Sequence, residues 1–232
     1  MPDFYSNVTE EQFNMIPDII DYCFPLSVNI SKYGDYTDST YENGDTIMPM
    51  FKASLTKKGD QVNPTSVSVY RDNVSVSDVS ISDDKKSFTC PSTNVGVSYK
   101  IKVSAGSTKE SNTLSWGFSE YRYIGQLTDV TNITESVIKS LSKSFSTSAT
   151  ATGISIDKGK YLCFAVIASS VPSGKKLVFQ DATTGAYLNS ETQKKVVSIS
   201  RVNNSATNSY YVIYTNVAAG AAGKLNVAQV NE

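Results

Sequence analysis

From residue 26 onward, apolar and polar positions alternate with a period of two. Leu26, Val28 and Ile30 alternate with Ser27 and Asn29. The same beat returns at Val67/Val69, Val74/Val76, Val79/Ile81, Tyr99/Ile101/Val103 and Leu114/Trp116/Phe118. That period puts successive side chains on opposite faces, which is the signature of half-buried strands. Turn-forming sequences separate the runs: Asn43-Gly44-Asp45, Lys58-Gly59-Asp60, Asn63-Pro64, Arg71-Asp72-Asn73, Ser82-Asp83-Asp84 and Ala105-Gly106-Ser107. Short strands at this spacing predict an antiparallel sandwich over 26–118. The cysteine–tryptophan–cysteine signature of antibody domains is absent, so the sandwich is Ig-like at the level of architecture only. Trp116, the one tryptophan, alternates with polar neighbours and is expected to be buried.

A second module, 119–232, is β-rich with one helix. Thr134 can cap that helix, Glu135 places negative charge in its first turn, and Val137, Ile138, Leu141 and Phe145 make one apolar face over about 134–145. A Ser/Thr-rich bridge covers 146–152. Strand-like runs then resume at 161–168, 177–180, 196–202, 210–215 and 225–230, with turns at Asp157-Lys158-Gly159, Pro172-Ser173-Gly174 and Thr184-Gly185. Val202-Asn203-Asn204-Ser205 reads as a hairpin tip. The overall class is all-β.

Residues 1–25 follow a different rhythm. Thr9-Glu10-Glu11-Gln12 forms a capping-box pattern, and Phe13, Ile16, Ile20 and Cys23 recur at helical spacing. Pro17 breaks or restarts the helix. Two readings stand for this short amphipathic segment: a lid on the neighbouring sandwich, or an anchor that docks on a partner through Phe13, Ile16 and Ile20.

Composition narrows the function. The formal net charge is -1, which argues against a nucleic-acid binder, since that needs a basic stripe. The lysine pairs 57–58, 85–86, 175–176 and 194–195 read as solvated loop or edge charges. No apolar stretch reaches the roughly 20 residues that span a bilayer, so membrane insertion is not expected. The N-terminus lacks the basic and apolar regions of a secretory leader. Cys23, Cys90 and Cys163 are too few and too dispersed for a disulfide framework or a zinc site, and are expected to be small buried hydrophobes. These features fit assembly in a reducing cytosol.

Histidine is absent from all 232 residues. That removes Ser-His-Asp and Cys-His catalysis and the commonest general base. A carboxylate-pair hydrolase stays formally open, yet no pair stands out, and Asp83-Asp84 falls in a predicted turn. The chain is read as non-enzymatic and without a cofactor. The segment 35–45 is rich in oxygen ligands but misses regular calcium-loop spacing, so it reads as a plain polar loop. No metal site is assigned. Tyrosine is plentiful, at 14. Tyr121, Tyr123 and Tyr210 are the candidates for stacking on a glycan or filling a protein interface.

Two segments carry a resemblance. Residues 64–73 with 97–106, alternating Val with Ser or Thr, are similar to small Ig-like modules of bacterial and phage surface proteins. Tyr123-Ile124-Gly125 leading into Ile133-Thr134-Glu135-Ser136-Val137-Ile138-Lys139-Ser140-Leu141 resembles the terminal modules of tailed-phage tail-fibre and head-fibre proteins. The resemblance implies a virion structural protein: a head fibre, a short tail fibre or a capsid decoration. It implies a homo-oligomer, trimer or dimer, that is partnered by other virion proteins, assembled in the host bacterial cytoplasm and able to touch host surface polysaccharide. The alternative is a carbohydrate-binding adhesin module of a bacterial or viral surface protein.

Overall fold

The structure, a computed structural model, describes residues 23–201 and 206–232. The expected docking residues Phe13, Ile16 and Ile20 lie outside the described residues, as does the expected hairpin tip at 202–205. The described residues are strands joined by turns, with one short α-helix and one 3-10 turn. The fold is all-β and antiparallel, as the alternation predicts. The chain divides into two compact units: residues through Ser39 with Thr46–Gly117, and Thr40–Asp45 with Phe118–Glu232.

The chain first runs through β1 (Ser27–Lys32), β2 (Thr40–Glu42), β3 (Met50–Lys57), β4 (Asp60–Gln61), β5 (Ser66–Arg71) and β6 (Val74–Val76). It continues through β7 (Ser80–Ile81), β8 (Ser87–Thr89), β9 (Val97–Ala105), β10 (Ser107–Glu110) and β11 (Leu114–Ser119). Strand β2 goes with the second unit. In the first unit one sheet has the order β1-β3-β8-β7, with β4 on β3, and the other has β11-β9-β5-β6, with β10 on β9. The hairpin between β5 and β6 turns through Asp72 and Asn73, both at positive φ (48° and 69°). That backbone matches strand twist, and Asp and Asn tolerate it.

The polar–apolar beat becomes burial. Val28 and Ile30 on β1, Phe51 and Leu55 on β3, and Tyr99, Ile101 and Val103 on β9 all point inward. Aromatic rings tie the two sheets together. Phe51 stacks on Phe88 with centroids 4.7 Å apart, sits 5.9 Å from Tyr99, and Tyr99 meets Trp116 edge-on at 6.1 Å. The Trp116 indole N–H donates to the Tyr36 carbonyl at 2.8 Å, so its one polar atom is satisfied in the core. The Lys32 ammonium lies 4.4 Å from the Trp116 ring and donates to the carbonyls of Asp38 and Ser115 at 2.7 and 2.6 Å. Asn112 acts as a surrogate strand: its amide accepts from Ile30 N–H at 2.7 Å and donates to Ile30 C=O at 3.0 Å.

The second unit continues with β12 (Tyr121–Leu127), α1 (Glu135–Lys139), β13 (Ser142–Phe145), β14 (Ala151–Ile156), β15 (Tyr161–Ile167) and β16 (Lys175–Asp181). It ends with β17 (Thr192–Ser200), β18 (Thr207–Thr215) and β19 (Gly223–Asn231). The larger sheet has the order β13-β12-β15-β18-β17 and the smaller β14-β19-β16. Strand β15 explains the unbroken apolar run at 161–168, because both of its faces are covered. Cys163 and Ala165 face a cluster with Ile133, Ile138 and Leu141 from the α1 region. Leu162, Phe164 and Val166 face Phe179, Leu225 and Val227 of the smaller sheet.

Four expectations need correction. The helix ends at Lys139, where the Ser140 hydroxyl turns back to the Val137 carbonyl at 2.7 Å. Phe145 is therefore on β13, not on a helix, because pairing with β12 claims residues 142–145. The 35–45 segment is not a plain polar loop: residues 40–42 form β2, and Glu42 and Asp45 are buried. Part of the Ser/Thr-rich bridge is strand β14, disguised by a bulge in which Gly153 N–H donates to the Asn226 side chain at 2.9 Å. Finally, Cys23 is exposed, whereas Cys90 and Cys163 are buried thiols.

Two stability effects follow from this packing. Trp116→Ala is expected to cost about 3–5 kcal/mol, read as a fall in the denaturant midpoint of the first unit; an unchanged midpoint would place the ring outside the core. At Gly125 an added Cβ would lie 2.9 Å from Leu141 Cδ2 and 3.4 Å from Leu141 Cβ. Gly125→Ala should therefore destabilise the second unit by about 1–3 kcal/mol through overpacking. A neutral result would show that Leu141 moves aside freely.

Candidate functional site

The site is built on the face of the larger sheet that α1 covers. Strands β12 and β13 pair in a register that sets Tyr121 opposite Phe145 and Tyr123 opposite Lys143. With a period of two, all four side chains share one face. Tyr121 stacks on Phe145 with centroids 4.3 Å apart at 18°, and the Lys143 ammonium lies 4.2 Å from the Tyr121 ring centre. Tyr123 meets Tyr210 edge-on at 5.7 Å.

Helix α1 supplies the next residues. Thr134 caps it by accepting from Val137 N–H at 3.5 Å. One turn later Lys139 pairs with Glu135 at 2.7 Å. The Glu135 carboxylate also accepts from Ser200 N–H at 2.9 Å, which pins the helix to the end of β17. Arg201 follows directly. Its guanidinium donates to Glu120 at 2.9 Å and contacts Asn208 Oδ1 at 3.4 Å, while Asn208 Nδ2 donates to the other Glu120 oxygen at 2.8 Å. The Glu120 side chain is only 4% exposed. Removing one member of such a buried pair strands the other charge, which is far costlier than the pair's net contribution.

Tyr123, Lys139, Lys143 and Arg201 line a recess of about 310 Å³. Burial raises the Tyr123 phenol to about 12, with further pushes from Glu42, Tyr121, Glu120 and Glu135. Burial raises Tyr210 as well, reinforced by Tyr123, Glu120 and Glu42. Both phenols stay neutral at physiological pH. The bonds from Lys139 and Ser200 hold Glu135 down to about 2. The recess therefore offers three cations and a neutral hydroxyl, with its carboxylates already occupied by protein donors.

Of the tyrosines singled out from sequence, Tyr123 lines the recess though it is only 2% exposed, and Tyr210, also 2% exposed, is packed behind it. Tyr121 is half-buried and carries Phe145 and the Lys143 ammonium on its ring. The aromatic residues thus build the wall rather than an open stacking platform. Lys139, Lys143, Arg201, Glu42, Glu120 and Asn208 form no motif in the sequence, and only the fold collects them. A larger recess, about 420 Å³, lies along the small-residue loop 218–223. Asp181 at its edge is taken up by the N–H groups of Thr183 and Thr184. Among the described residues, no three His, Cys, Asp or Glu side chains gather as a metal site.

The Glu135 tether has a pH signature. The carboxyl titrates lower in the folded chain than its ordinary 4.5, so its ionised form favours folding. The contribution is complete above about 4.5 and is lost as pH falls toward 2. Amide protection at Ser200 and across α1 should decline through that window in the wild type and lose this step in Glu135→Gln. A wild-type profile without the step would break the assigned tether. No protein family matches this chain, and no curated protein matches it.

Proposed function

We propose that this chain is a non-enzymatic structural component of a phage particle that displays two β units and contacts a host-surface saccharide through the second. The recess beside α1 carries the contact part of this reading. It is the size of a small-ligand site, at the lower end of roughly 300–1,000 Å³. Tyr123 and Lys143 sit on paired strands and Lys139 on a capped helix, while Arg201, just past β17, is held by Glu120, so their geometry is set before a ligand arrives. The setting in a virion, as head fibre, short tail fibre or capsid decoration, rests on the fibre-like segments 123–125 and 133–141.

The non-enzymatic reading has a physical basis. The sequence holds no histidine. The two carboxylates bonded to the recess cations are Glu120, bound by Arg201 and Asn208, and Glu135, bound by Lys139 and Ser200. A carboxyl held at about 2 is ionised at neutral pH and donates no proton to a leaving group.

The second reading is an adhesin module outside any virion. One experiment separates them: purified full-length chain on a saccharide array, together with immunogold labelling of phage particles. Selective saccharide binding with labelled particles is expected. Binding without particle labelling would favour the adhesin. A featureless array would remove the contact role, and light scattering would then test whether a dimer or trimer survives as a purely structural unit.

A further inference from the structure

We infer that the recess beside α1 takes a monoanionic carboxylate, and that its ligand is an acidic saccharide such as a hexuronate. The inference rests on the saccharide-contact reading above and adds the chemical class. It comes from charge balance at the lip of the recess. Of the three cations, Lys139 is 2.7 Å from Glu135 and Arg201 is 2.9 Å from Glu120. Lys143 has no carboxylate partner among the described residues. Its ammonium lies over the Tyr121 ring, 4.2 Å from the ring centre. A ring face orients and attracts an ammonium, but leaves its charge in place. One positive charge therefore remains for a ligand.

A single negative charge matches that remainder. A dianionic phosphate would bring surplus negative charge toward Glu135 and Glu120, with Glu42, also buried and not itself lining the recess, adding to the repulsion. The other features suit a sugar bearing the carboxylate. The Tyr123 hydroxyl is bonded to no described residue and can meet a ring hydroxyl. Arg201 Nε is buried and has no hydrogen-bond partner among the described residues. Phe145 and Lys143 occupy Tyr121, so recognition falls to hydrogen bonds and charge rather than to stacking. The volume, about 310 Å³, suits one sugar residue with part of its neighbour rather than a long segment.

Calorimetric titration of the full chain tests this with three probes: a hexuronic-acid oligosaccharide, its carboxyl-reduced counterpart, and inorganic phosphate. Lys143 is exposed, so Lys143→Gln should keep the wild-type unfolding midpoint. The expected result is uronate binding that weakens with salt, falls roughly tenfold or more in Lys143→Gln, and persists in Lys143→Arg. The carboxyl-reduced sugar should lose a comparable factor against wild type. Equal binding of acidic and reduced sugars, or no effect of Lys143→Gln, overturns the carboxylate assignment and leaves saccharide contact standing. No binding of either sugar by folded protein removes both. Phosphate binding tighter than uronate overturns the monoanion argument.

Discussion

Strand β12 is paired on both edges, to β13 and to β15, and a side-chain period of two leaves it no freedom of register. A slip by one residue would send Tyr121, Tyr123 and Gly125 to the opposite face and bring Ile124 into their place. Each of those residues answers a different neighbour. Gly125 makes room for Leu141, which closes the α1 region over the sheet. Tyr123 joins the cluster under the helix, and Tyr121 takes its place against Phe145. Ile124 joins the opposite cluster, between the two sheets. The recess is thus a by-product of a register fixed by packing on two faces at once.

Against that apolar frame, the Glu120–Arg201–Asn208 group is an expensive inclusion. Desolvating two charges costs several kcal/mol per ion, and every donor and acceptor must be well placed to offset it. Glu120 meets this demand by using both oxygens. The pair gives little net stability, and its value here is positional. It holds Arg201 at the end of β17, next to the backbone N–H that Glu135 grips. Two carboxylates, Glu120 between β11 and β12 and Glu135 on α1, therefore fix the adjacent residues Arg201 and Ser200.

The strands that carry strong alternation or an unbroken apolar run were legible: β9 through Tyr99, Ile101 and Val103, and β15 through its contiguous core residues. Strand β3 was not, because Ala53 dilutes the run between Phe51 and Leu55. The helix was overextended because Leu141 and Phe145 happen to fall four apart, a spacing that also suits a turn followed by a strand. The lysine pairs read as solvated include Lys195, whose ammonium donates to the Ile133 carbonyl at 2.9 Å. The recess was illegible for a deeper reason. Tyr123, Lys139, Lys143 and Arg201 are brought together by strand pairing and helix docking, and neither leaves a spacing rule in the chain.

The assignment of Thr40–Asp45 to the second unit has a consequence for how the chain is made. A ribosome releases this hexapeptide early, flanked on both sides by strands of the first unit. Its buried Glu42, however, has its electrostatic neighbours Tyr123 and Tyr210 far downstream. The two units are consequently not separable by a single cut. A fragment starting at Phe118 would lack residues that the second unit includes, and a fragment ending at Gly117 would carry Glu42 without Tyr123 and Tyr210.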